Sequence, residues 1–353
     1  MRSHMHETGE RMPERMPPVR LTASAAFVVI ACGLAWLVAL PLWLGDGLAE
    51  PSTALLLPVM MFTPAVAVLV VLFALHPIPR GQRLRFLGMW PLRPARRVVW
   101  LCVLGLLAPP VLVFLGMLVA SAFGWISLDL VHLSGFAELL RASLPAGTPL
   151  PPPWLVVGSQ LIAMPLAAAT INAVAAFGEE LGWRGFLVPA LRRYGTWPAL
   201  IISGVVWGLW HAPIILLGYN FGRPDFTGVL FMVGGALAWG ILLGWLRLRS
   251  ASLWPAVFAH GALNAAAGML VLFHSAGTRT DPALSGPLGV AMWMLLAVVI
   301  VALLLTGQFR RQPALAPTPG RTAASAAPPP AAPPAPPAAP PAPPAGPPSA
   351  SGA

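Results

Sequence analysis

The 353-residue chain is 57% hydrophobic and only 9% charged. Globular proteins carry roughly a quarter charged residues, so this composition excludes a water-soluble fold and makes lipid the surrounding medium. The net charge of +10 comes from arginine alone, and the arginines fall in clusters between apolar runs, a mark of membrane topology that excludes a nucleic-acid-binding patch. Cys32 and Cys102 both lie in apolar runs, which excludes a disulfide framework and a cysteine metal knuckle.

In chain order, residues 1–20 form a basic N-terminal segment. Eight apolar stretches follow, each long enough for a hydrocarbon core, which takes about 20 residues. They are 21–44, 54–75, 98–122, a fourth ending near 191, 197–217, 226–246, 253–273 and 286–306. The first is expected to be retained as a span. Its apolar run exceeds the roughly 7–15 residues of a signal peptide, and no small-residue cleavage site follows. Residues 312–353 are Ala/Pro low complexity that can bury no core, and an extended cytoplasmic tail is expected there. The expected fold class is all-α, a polytopic membrane domain over 21–311 with about eight transmembrane helices.

Arginine alternates from loop to loop. Arg2, Arg11, Arg15 and Arg20 precede the first span, and Arg80, Arg83, Arg85, Arg93, Arg96 and Arg97 follow the second. Arg192 and Arg193, then Arg247 and Arg249, then Arg310 and Arg311 close spans four, six and eight. The intervening loops hold at most one arginine each and the acids Asp46, Glu50, Asp129, Glu138, Asp225 and Asp281. The positive-inside rule then places both termini in the cytoplasm, with the chain as a multi-pass protein of the cell (plasma) membrane. The fourth stretch, from Trp154 to Leu191, is too long for one straight crossing. A break is expected at Pro165, with 154–164 at the outer face and 166–191 crossing.

Ionisable residues at bilayer depth are costly and are functional candidates by default. Of eleven acidic residues, only Glu179 and Glu180 fall within the spans. They share a stretch, "AAFGEELGWRGFLVPAL", with Arg184. His211 and His260 lie inside spans five and seven, with Asn264 one turn beyond His260. Counted from the arginine-bearing ends at 1.5 Å per residue, Glu179, His211, His260 and Asn264 all sit roughly 16–22 Å along their helices. Glu180 and Arg184 are i and i+4 and can pair, whereas Glu179 is turned about 100° away. Gly204, Gly208 and His211 share a face suited to close helix approach, and Trp207 can pack beside the imidazole. A lone membrane histidine is commonly an interhelical hydrogen bond and a Glu–Arg pair a structural clamp. Two acids, two histidines and an amide at one depth on three helices are the pattern of a site.

A carboxylate can take a proton from water and make it a nucleophile, while an imidazole and an amide can donate to a developing oxyanion. These parts suffice for peptide hydrolysis, with Glu179 as base, His260 and Asn264 at the oxyanion, and His211 orienting water or substrate. Glu179, His211 and His260 also make up the donor types of a catalytic Zn²⁺ shell, and the sequence leaves metal-assisted and metal-free chemistry both open.

"EELGWR" (179–184), "WGLWH" (207–211) and "HGALN" (260–264) resemble the three motifs of the CAAX prenyl endopeptidase and bacteriocin-processing family of intramembrane proteases, over roughly 165–275. The resemblance implies eight helices around a cavity open to cytoplasm and lipid. It also implies Glu179 as general base, His211, His260 and Asn264 as the other catalytic residues, and Glu180, Arg184 and Trp207 in support. The expected function is an intramembrane endopeptidase acting near the cytoplasmic leaflet. Its partners would be the bilayer and a peptide or membrane-protein substrate, prenylated in the CAAX case. The alternative expectation is a non-catalytic membrane chaperone, immunity or secretion partner on the same fold.

Overall fold

The apolar runs fold as helix. The computed structural model describes residues 17–145 and 147–310. The expectations placed on the N-terminal segment up to residue 16, on Arg311 and on the Ala/Pro tail lie outside these residues. In order come α1 (Leu21–Leu44), α2 (Thr53–Met61), α3 (Thr63–Ala74), α4 (Arg83–Leu87), α5 (Ala95–Ala122), α6 (Ser134–Ser143), α7 (Pro153–Ala169) and α8 (Ile171–Glu180). A π-helical stretch, Leu181–Leu187, continues α8 into α9 (Val188–Leu191). Then follow α10 (Thr196–Trp210), α11 (Ala212–Ile215), α12 (Phe226–Ser250), α13 (Trp254–Ala266), α14 (Met269–Phe273), α15 (Pro282–Ser285) and α16 (Val290–Leu305). The described residues contain no strand beyond one isolated bridge, between Leu128 and His274.

Among the described residues six segments are long and apolar enough to cross a bilayer, and α7 with the α8 segment, bent by 41°, makes a seventh when the pair is counted as one span. The expected fifth span differs. Its helix α10 has 15 residues, about 22 Å, short of a hydrocarbon core of about 30 Å. Pro213 is the reason. It offers no N–H to the Leu209 carbonyl one turn back, so the helix stops at Trp210 and restarts as α11 after His211.

Two expectations are corrected. The fourth stretch does not break at Pro165, which α7 carries in its interior. It breaks at Thr170, whose backbone sits at φ −116° and ψ −96°. The carbonyls freed there are taken up locally: the Thr170 hydroxyl donates to Leu166 O at 2.7 Å and Asn172 Nδ2 to Ala167 O at 3.2 Å. The break also admits α13. A Cβ on Gly261 would stand 2.6 Å from Ala168 O and 2.9 Å from Ala173 N, so only glycine lets α13 lie across the break. The second correction concerns Arg247, expected in a cytoplasmic loop. It lies within α12, is 0% exposed, and donates from Nε to Arg184 O at 3.0 Å and from Nη2 to Phe86 O at 2.7 Å.

Helix α13 is central, packed on α5, α7, α8 and α12, while α10 packs on α12. The close approach expected of Gly204 and Gly208 is real. A Cβ on Gly208 would lie 2.5 Å from the Cα of Val233, and one on Gly204 2.9 Å from that of Leu237. These two approaches hold α10 against α12, which sequence alone could not establish.

Candidate active site

The site grows from a helix that changes its winding. Residues 178–191 are buried without interruption, and within them the π-helical turn bonds each N–H five residues back, widening the coil where functional sites often sit. Glu180, on the last turn before it, is 0% exposed. Its Oε1 accepts from Arg184 Nη1 at 2.8 Å and from His260 Nδ1 at 2.9 Å. The expected Glu180–Arg184 pair therefore forms, and the same oxygen also anchors a histidine from α13. A buried carboxylate with two such donors is compensated, where an unpaired one would cost several kcal/mol.

Glu179 faces the other way and is 2% exposed. Its Oε2 accepts from the indole Nε1 of Trp207 at 2.6 Å. That indole is the hub of the site. The Arg184 guanidinium lies 4.3 Å from its ring centre, a cation–π contact. The His260 ring meets it edge-on at 5.2 Å, and the His211 ring lies 5.9 Å away. His211 itself sits at the break after α10. There its Nδ1 is 2.8 Å from Trp207 O and its ring packs edge-on against Trp210 at 4.6 Å. Trp210 is fixed in turn by donating to the Thr63 hydroxyl at 3.0 Å.

Glu179, Trp207, His211, His260 and Asn264 line one cavity of about 440 Å³. Five residues expected from three separate helices thus share one pocket, while Glu180 and Arg184 stand behind its wall. Sequence reasoning missed Asn172, Tyr219 and Asn220, which line the same cavity. Asn172 had a signal: it precedes Glu179 by seven residues, two helical turns, and so lies on the same face. Tyr219 and Asn220 had none, because their loop reaches the cavity only through the early end of α10.

Hydrogen bonding fixes what each ring can do. A carbonyl and a carboxylate only accept, so both Nδ1 atoms carry protons and Nε2 is the remaining nitrogen of each ring. A neutral His211 then offers Nε2 as an acceptor, suited to a water proton. His260 can donate through Nε2 only when it carries both protons. For a metal, the ring orientation is of the kind ligand histidines adopt. Yet no group of three or more His, Cys, Asp or Glu side chains among the described residues is arranged to hold a metal ion. The residues as placed do not form a metal shell.

Comparison with known proteins adds an independent line. Residues 161–266 match the family model of type II CAAX prenyl endopeptidase Rce1-like proteins. The match covers the motif core, which is similar to the Rce1-like proteins over those residues. A curated relative, CAAX prenyl protease 2 of Methanococcus maripaludis, is 34% identical over 98 residues, which is 26% of this chain. The chain covers 36% of that relative's length, about a third. The Rce1-like core begins within α7 and ends at the last residue of α13, so it contains Asn172 and every expected site residue. Tyr219 and Asn220 fall inside it too.

Proposed function

We propose that this chain is an intramembrane endopeptidase of the CAAX-protease type, with Glu179 as general base acting on water without a metal. The observation that carries this reading is the seating of Glu179. Its carboxylate is held by the Trp207 indole at the wall of a cavity that His211, His260 and Asn264 also line. In the proposed reaction Glu179 takes a proton from water as the water oxygen bonds to the peptide carbon. The carbonyl electron pair moves to oxygen, where protonated His260 and the Asn264 amide donate to the resulting anion. Collapse restores the carbonyl, breaks the C–N bond, and passes the proton from Glu179 to the leaving amine. His211 accepts from the attacking water through Nε2. Glu180 and Arg184 orient His260 and Trp207.

The substrate is a membrane-borne peptide, because the cavity lies among membrane-spanning helices, and the arginine-bearing loops lie in the cytoplasm. Cleavage of a quenched peptide library by purified protein tests the reading. Glu179→Gln should abolish cleavage at unchanged abundance, and full activity in that variant would remove Glu179 from the chemistry. Metal analysis of the active preparation should find no stoichiometric metal. A bound equivalent of zinc together with loss of activity on chelation would overturn the metal-free step.

A further inference from the structure

The cavity has a direction. Beyond its catalytic floor it is lined by Ala54, Asn172, Tyr219, Asn220, Ala267 and Leu288. Ala54 is in the first turn of α2 and Asn172 in the first turn of α8. Tyr219 and Asn220 lie in the loop before α12, Ala267 just past the end of α13, and Leu288 just before α16. Followed along the chain, every one of these positions lies at the end of its helix remote from the arginine clusters. Those clusters sit after α3, after α9, at the end of α12 and past α16.

The opposite end is closed. From Glu179 toward Arg192 the chain is buried throughout, and Trp183, Phe186 and Arg184 are 0% exposed. Beneath them the Arg247 guanidinium joins Arg184 O to Phe86 O, and Leu253 N donates to Gly88 O at 2.8 Å. The loop that follows α3 is thereby fastened across the floor. Counted along their helices, the catalytic residues stand roughly 16–22 Å from the arginine-bearing ends, well removed from them.

We infer that the cavity opens to the extracytoplasmic half of the membrane, so that its substrate is a peptide segment presented on that side. The inference rests on the hydrolase reading for the word substrate, and on the positive-inside rule for the side. It revises the expectation of a site near the cytoplasmic leaflet. A C-terminal peptide prenylated in the cytoplasm would meet the sealed floor, whereas a translocated or outward-facing peptide would meet the mouth.

Thiol labelling tests the direction without calling on catalysis. In a background where Cys32 and Cys102 are replaced by serine, single cysteines are introduced as Ala54→Cys at the mouth, Asn172→Cys at the wall, and Gly81→Cys in the arginine-bearing loop. A Cβ at Gly81 meets nothing within 4 Å, so that variant should fold. A charged, membrane-impermeant maleimide is applied to intact cells and to inverted membrane vesicles. Ala54→Cys and Asn172→Cys should react in intact cells and Gly81→Cys only in vesicles, each with at least a tenfold preference. Reaction of Asn172→Cys only in vesicles would overturn the inference, as would no reaction at that position in either preparation, or Gly81→Cys reacting from outside. Loss of cleavage in Glu179→Gln bears on the hydrolase reading alone, so the two failures are distinguishable.

Discussion

The indole nitrogen of Trp207 donates to the carboxylate of Glu179 across 2.6 Å, joining α10 to α8 at the wall of the cavity. One side chain thereby positions the proposed base, stacks under Arg184 and supports both histidine rings. Hydrogen bonds to charged groups are worth about 1.5–3 kcal/mol. Trp207→Phe keeps an aromatic face for Arg184 and removes only the donor. We expect kcat to fall about tenfold to hundredfold, with KM and abundance nearly unchanged. A variant that keeps wild-type kcat would show that the indole bond does not position the base.

Glu180 should behave as the keystone of a buried charge cluster. Removing one member of such a cluster leaves its partners uncompensated, at a cost of about 3–5 kcal/mol. Glu180→Ala should therefore lower the thermal unfolding temperature in detergent, while Glu180→Ala combined with Arg184→Met should regain part of the loss. If the double variant were no more stable than the sum of the singles predicts, the two side chains would not be coupled.

Two glycines separate packing from conformation. Gly208→Ala would place a methyl 2.5 Å from the Val233 backbone, whereas a Cβ at Gly268 meets nothing within 4 Å. Overpacking typically costs about 1–3 kcal/mol. Thermal unfolding should fall clearly for Gly208→Ala and stay within error for Gly268→Ala. Equal behaviour of the two would refute the close approach of α10 to α12.

Arg247 should be irreplaceable by lysine. Its planar fork reaches two carbonyls, Arg184 O and Phe86 O, from one buried position. An ammonium is a point donor that cannot span both. In Arg247→Lys and Arg247→Met, α4 should loosen, and trypsin should cut after Arg80 or Arg85 severalfold faster than in the wild type. Unchanged cutting would mean that the loop is held by other contacts.

Much of the site was legible in the sequence because lipid makes ionisable side chains conspicuous. Glu179, Glu180, His211 and His260 stood out by type and depth, and their convergence followed. What sequence could not give was partnership across helices: that Glu180 holds His260, or that Trp207 holds Glu179. The break at Thr170 was misplaced because Pro165 is the louder signal, yet a proline can sit inside a membrane helix without ending it. Arg247 was read as a topology marker because it lies two residues from Arg249, and a linear pattern does not distinguish a loop cation from one folded inward. The depth arithmetic put Glu179, His211, His260 and Asn264 at one level. The expected opening toward the cytoplasm came from the family resemblance.

The buried fork of Arg247 also bears on how the protein is made. Both of its acceptors, Phe86 O and Arg184 O, belong to segments that leave the ribosome earlier than α12. When α12 enters the bilayer carrying a cation with no carboxylate at either of those bonds, its two docking carbonyls are already synthesised, and the order of genes' codons becomes an order of assembly. A rearranged chain in which α12 was translated first would have to expose that charge to lipid until its partners arrived.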